Sequence, residues 1–144
     1  MRKGLDVGLL LIRIALGVVF IYHGFGKFFP NMVPGSHGID DFAKMLGDMG
    51  MPRPIFMAYL AAGWELGGGI ALILGLLTRL AAFGIFVEMT VAVFKVHLGN
   101  GFDASKGGFE YAMTLGIVAL ALAFTGAGAI SLDGAFVRRR HKGV

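Results

Sequence analysis

Seven ionisable residues stand where apolar sequence surrounds them: Arg13, His23, Lys27, Glu65, Glu88, Lys95 and Glu110. Acids and bases in such a setting can hold the polar groups of a ligand or relay protons. Each is costly enough in hydrocarbon to need a partner, a wet cavity or a task. Their spacing groups them. Arg13, Gly17, Phe20, Gly24 and Lys27 step by four, three, four and three, forming one helical stripe with small residues inside and basic ends. His23 flanks that stripe. Ala58, Ala61, Glu65, Gly68, Gly69 and Leu72 make a second stripe with an acid in its middle, and Gly63 and Gly67 add a GxxxG pair. Ala81, Gly84, Glu88, Val91 and Lys95 share a third face, and Glu110, Thr114, Ile117, Ala121 and Phe124 a fourth.

These stripes need long apolar helices to carry them. Four segments have that length, at about residues 7–29, 55–77, 80–98 and 109–128, each near the ~20 residues that cross a hydrocarbon core. The fold class this implies is all-α: an integral membrane four-helix bundle forming a single domain over residues 1–144. The turn Leu77-Thr78-Arg79 is short enough to make the second and third helices antiparallel neighbours. Between helices one and two, Ile39, Phe42, Met45, Leu46 and Met49 recur at helical spacing opposite Asp40, Asp41, Lys44 and Asp48. That pattern predicts a short interfacial helix, apolar side down, with Ser36 as its cap.

Depth limits which charges can meet. At ~1.5 Å per residue, Arg13 lies ~9 Å, Glu88 ~12 Å and Glu65 ~18 Å above the inner edge. The expectation is a buried Arg13/Glu65/Glu88 group and an outer group of His23, Lys27, Lys95, His97 and Glu110. A purely architectural role is the competing reading, with an Arg13–Glu88 pair fixing register and Lys27 and Lys95 snorkelling to the interface. Tyr22, Trp64 and Tyr111 then need only be packing or interface anchors. His23 and His97 sit at similar heights on different helices, but two histidines without a further motif do not make a haem or metal site. Arg79 and Asp133 fall beside helix ends on one side, where an interfacial ion pair is expected.

Composition agrees with a lipid setting. Hydrophobic residues make up 56% of the 144 and charged residues 15%, and the mean hydropathy is +0.76. The absence of cysteine excludes disulfides, thiol nucleophiles and cysteine-ligated iron–sulfur centres within this chain. The net charge of +4 does not point to nucleic acid, because Arg138, Arg139, Arg140 and Lys142 cluster directly after the last apolar run. The first run is long, contains Arg13 and has no small-residue cleavage site, so it reads as a retained helix. An even number of crossings, with Arg2, Lys3, Arg79 and the basic tail on one side, places both termini in the cytoplasm.

At these residues the chain resembles the DoxX family of small bacterial and archaeal membrane proteins. The resemblance is carried by Arg13-Ile-Ala-Leu-Gly17, His23-Gly-Phe-Gly-Lys27, the run Glu65-Leu-Gly-Gly-Gly-Ile-Ala-Leu-Ile-Leu-Gly75 with Thr78-Arg79, Val96-His97, Glu110-Tyr111, and Gly126-Ala-Gly-Ala-Ile-Ser131-Leu-Asp133. Similar proteins often have Gly-Pro-Gly where this chain has Gly-Ala-Gly before Ser131. The resemblance implies a four-helix bundle in the plasma membrane. The family's name comes from a subunit of thiosulfate:quinone oxidoreductase, and other members are linked to membrane oxidoreductase complexes and to tolerance of oxidative or quinone stress.

The function this suggests is a quinone-proximal membrane subunit or accessory of an oxidoreductase system. Phe20, Phe25 and Trp64 would line an apolar slot, His23 or Lys27 would donate to quinone carbonyls, and Glu65 or Glu88 would relay protons. No complete catalytic motif is present, so electrons would come from a soluble or membrane oxidoreductase partner. Two alternatives use the same residues differently: a small-solute or proton-coupled transporter, for which so few helices would call for a homo-oligomer, and a non-catalytic scaffold for partner enzymes.

Overall fold

The computed structural model describes residues 3–142. Six α-helices succeed one another: α1 (Lys3–Phe28), α2 (Ile39–Asp48), α3 (Pro54–Leu74), α4 (Thr78–Val91), α5 (Glu110–Thr125) and α6 (Leu132–Lys142). α4 continues through a π-helical turn, Ala92–His97, and a 3₁₀ turn, Leu98–Asn100. There is no strand among the described residues.

Local chemistry sets the ends. α1 has Asp6 in its first turn and Lys27 in its last, matching the helix dipole. α3 opens on Pro54, whose missing N–H costs nothing at a first turn. It closes on Gly75 at φ +66, where Gly75 N–H donates to Leu72 O and Leu76 N–H to Ala71 O, a Schellman stop. In the loop before α5, the Ser105 hydroxyl and backbone N–H donate to Asp103 Oδ1 at 2.7 and 2.9 Å, holding that carboxyl below its usual range.

Three helices are long and apolar enough to cross a bilayer: α1, α3, and α4 with its extension, Thr78–Asn100. α5 is apolar but has 16 residues, about 24 Å at helical rise, against a core of about 30 Å. Sequence periodicity runs this helix on to residue 128, but the backbone turns out at Gly126, with φ +79, and the segment after it is held by other elements. The bundle's flanks carry Leu11, Val18, Phe56, Phe83, Ile117 and Phe124, all exposed. Water would not tolerate so broad an apolar surface, whereas lipid would. The protein is a helical, multi-pass membrane protein.

Helices α1 and α3 pack face to face along the two small-residue stripes. A methyl group added at Gly17 would lie 2.7 Å from Gly69 O and 2.6 Å from Ile73 Cγ1, and one added at Gly69 would lie 2.8 Å from Gly17 O. Backbone meets backbone here, which is how helices gain contact where the hydrophobic effect does not drive association. Gly63 and Gly67 face open space instead, so the GxxxG pair is not part of this seam. Replacing Gly17 by alanine should cost about 1–3 kcal/mol through forced separation of the helices, whereas Gly63→Ala should be neutral. Unfolding of the two variants in mixed micelles would check the contrast.

The remaining core joins Leu9, Leu16, Phe20 and Leu72 to Ala81, Ala82 and Ile85 of α4 and to Ala119 and Leu122 of α5. A smaller cluster forms where Ala43 and Leu46 of α2 rest on Ala58 of α3, so the interfacial helix docks by the predicted face. Its cap differs: Gly38 occupies that position without a side-chain cap, while the Ser36 side chain packs by Gly26.

Candidate functional site

The α1–α3 register decides which charges meet. Gly24 abuts Glu65 and Leu66, and Gly17 abuts Gly69 and Ile73, with the helices running in opposite directions. Lys27, one turn beyond Gly24 on the same face, therefore reaches Glu65, and their ion pair is the one salt bridge among the described residues. Arg13 lies eleven residues before Gly24 on α1, about 16 Å away along the axis. It meets the far end of α3, not the glutamates.

Arg13 is wholly buried. Its Nη1 donates to Leu72 O at 3.3 Å and its Nη2 to Ile130 O. Positive charge thus sits on the negative end of the α3 dipole. Asp133 is nearby and does more than balance it. Its two carboxylate oxygens accept the backbone N–H groups of Leu77 and Thr78, each at 2.9 Å, capping α4, and its own N–H donates to Gly75 O. Asp6 Oδ1 accepts from Ala129 N–H at 2.7 Å. One end of the bundle is fastened by these bonds between α1, the α3–α4 turn and the 126–133 segment.

Two expectations are corrected by these contacts. Glu65 and Glu88 of the expected inner group do meet, but Arg13 does not join them, because depth counted along separate helices ignores their register. The Arg79–Asp133 ion pair does not form either: orphan N–H groups of α4 take the Asp133 oxygens, and Arg79 Nη1 donates to Ala123 O at 3.4 Å. The two residues do share an end of the bundle, as expected.

Four of the six other candidates, Lys27, Glu65, Glu88 and Lys95, line a groove of about 520 Å³ between α2, α3 and the α4 rod. His97 lines it too, together with Trp64 and a run of methionines, Met45, Met49, Met51, Met57 and Met89. Glu88 faces Glu65 and Lys27; its carboxyl pairs with that of Glu65, and its buried Oε2 takes no donor from the backbone or from Lys27. Lys27 is mostly shielded, which corrects the expectation that it snorkels. Its ammonium also lies 4.4 Å from the Phe42 ring centre, a cation–π contact. Trp64 Nε1 donates to Ala81 O at 3.3 Å, fixing the indole as one wall. Leu60, Leu80, Phe83 and Val87 form an exposed apolar lip, through which the groove faces the lipid side.

The π turn sets the last two groups. Such turns add a residue to the helix and rotate the side chains beyond it, often beside functional sites; this one carries Lys95 and His97 on the rim. His97 Nδ1 bonds Gly107 O at 2.8 Å, which leaves Nε2 open. Glu110 opens α5 and does not line this groove. His23 lies near Glu65 and Lys27, on the side of the lysine away from the groove. Phe20 is buried in the core and does not line the slot expected for it, and Phe25 stacks on Phe29, with ring centres 4.7 Å apart.

The model of one family, DoxX, matches residues 8–98 of this chain, the stretch that holds both stripes, the ion pair and the groove. The chain belongs to the DoxX family. Among relatives, "Putative oxidoreductase CatD" of Bacillus subtilis is 32% identical over 92% of this chain and 90% of its own length. Two inner membrane proteins of Escherichia coli, YqjF and YphA, are 33% and 34% identical over 92% and 87% of this chain, and over 95% and 87% of their own lengths. No solved structure matches it. That YqjF and YphA are named inner membrane proteins agrees with the apolar helices of this chain.

Proposed function

We propose that this DoxX protein is a quinone-proximal membrane component of an oxidoreductase system, and that the groove between α2, α3 and α4 holds the quinone ring. The observation that carries this reading is the buried Glu88 carboxyl, set against Glu65 and Lys27 in a mostly apolar groove that opens toward lipid. A lipid-soluble ligand with polar oxygens on a flat ring matches such a site. Trp64 and the flexible methionine side chains supply adaptable apolar contact, while Glu88 and Lys27 supply polar groups that fix orientation. The volume suits a small ring with part of its tail.

Two-electron reduction of a quinone takes up one proton at each carbonyl oxygen. Glu65 and Glu88 are placed to hold a proton between them, and Lys27 offsets the charge of one carboxylate. The chain has no cysteine for iron–sulfur ligation, so a partner oxidoreductase supplies the electrons; the name of the Bacillus subtilis relative supports that association.

Trp64 is the single tryptophan and lines the groove, so it reports occupancy directly. A short-chain ubiquinone or menaquinone added to the protein in nanodiscs should quench its emission saturably. Glu88→Leu should weaken that binding about tenfold, the equivalent of one lost hydrogen bond. Quenching that never saturates, or that Glu88→Leu leaves unchanged, rules the reading out. Uptake of a small solute into proteoliposomes that depends on Glu65 would instead establish a transporter.

A further inference from the structure

A second cavity, of about 500 Å³, lies on the other side of Lys27. Its lining is of another kind: Tyr22, His23, Ser36, His37 and Asp41 surround it under the loop of residues 33–37. The two cavities have three lining residues in common, Lys27, Phe42 and Met45. One ammonium, with an aromatic ring against it, therefore forms the wall between a polar chamber and an apolar one.

We propose that the polar chamber is the proton inlet of the site, passing protons from water through His37, Asp41 and His23 to the Lys27–Glu65 pair and on to Glu88. This deepens the quinone reading and rests on it for its purpose, but the path itself requires no quinone. His37 and Asp41 are exposed at the loop and the first turn of α2, outside the apolar spans, where water reaches them. His23, itself exposed, lines the same cavity as His37, Asp41 and Lys27 and lies near Glu65. An imidazole there can take a proton on one nitrogen and release one from the other.

The groove side opens differently. Its lip is apolar, and the bases that face it, Lys95 and His97, lie on the rim at the π turn. Protons entering through the chamber would meet the carboxyl pair without crossing lipid. The arrangement separates the routes: an apolar ligand arrives through the lip, and protons arrive from the loop. Lys27 is a positioning residue in this scheme, since its pair with Glu65 stands where the two cavities adjoin.

Trp64 also makes the test possible, because its indole adjoins Glu65 and Glu88 and its emission responds to their charge. The full chain in nanodiscs, without quinone, is subjected to a stopped-flow pH step, and Trp64 emission should relax to a new level. Glu88→Gln should remove most of that amplitude. His23→Leu combined with His37→Leu should keep the amplitude but slow the relaxation at least roughly tenfold. His37→Leu alone, at an exposed loop position that the helices do not depend on, should slow it in part and guards against misfolding of the double variant. An unchanged rate in both histidine variants, an amplitude indifferent to Glu88→Gln, or no response in the unaltered protein overturns the inlet. Failure of quinone to quench at equilibrium is a separate result, and it would remove the purpose of the path while leaving the path standing.

Discussion

Replacing Arg13 by methionine should destabilise the protein by about 3–5 kcal/mol, the cost typical of breaking a buried charged network by removing one partner. The side chain is fully buried and holds two carbonyl oxygens from separate parts of the chain, Leu72 O and Ile130 O. Without the guanidinium, the end of α3 loses its counter-charge, and both oxygens lose their donor. Asp133 would keep its cap on α4 but lose the positive charge beside it. Lysine at position 13 should recover less than half the loss, because one ammonium cannot span two carbonyls as the planar fork does. The measurement is reversible unfolding in mixed micelles, with Asp133→Asn as a companion. If the Arg13 and Asp133 losses simply add in the double variant, the two residues act independently and do not fasten this end of the bundle together. A loss under 1 kcal/mol for Arg13→Met would show that the charge is not needed for the fold at all.

Much of this arrangement is legible in the chain, and the reasons differ by residue. The stripe Arg13, Gly17, Phe20, Gly24, Lys27 and its partner around Glu65 and Gly69 can be read because helical period alone puts those positions on one face, and small residues mark where backbones meet. The amphipathic α2 is legible for the same reason. What periodicity cannot supply is register between helices. Arg13 has the reach of a long side chain, so depth alone points it at the wrong acids; only the docking of Gly17 against Gly69 settles that it meets Leu72 and Ile130.

Asp133 is invisible as a cap because it caps a helix more than fifty residues away in sequence, Thr78–Val91, and not its own. Helix α6 does have a local sign, Ser131, whose hydroxyl accepts from Gly134 N–H at 2.9 Å, but the charges after it read as a basic tail instead. The π turn is hidden for another reason. A single added residue changes where Lys95 and His97 point without altering composition or hydropathy. His37 and Asp41 of the second cavity look like ordinary loop and surface residues, since nothing in sequence brings a loop over the end of α1.

The Lys27–Glu65 pair offers the second large effect, and its value lies in comparing single and double substitutions. Lys27→Met leaves Glu65 with no cation in contact and a second carboxyl, Glu88, facing it. Glu65→Gln leaves the Lys27 ammonium with a neutral amide oxygen in place of its paired carboxylate, beside the Phe42 ring. Each single change should cost about 3 kcal/mol or more, because it strands a charge in a low-dielectric site. The double variant, Lys27→Met with Glu65→Gln, should recover much of that loss, since replacing a buried pair by neutral groups of similar volume is often tolerated. Recovery in stability without recovery of quinone quenching would mean that the fold needs charge balance at this position while the ligand needs the charges themselves. Were the double variant to regain saturable quenching as well, Lys27 and Glu65 would be struts of the α1–α3 seam, and Glu88 alone would carry the polar chemistry of the groove. If instead both single variants proved as stable as the parent protein, the pair would have to be open to water, and a dry partition between the two chambers could not be maintained.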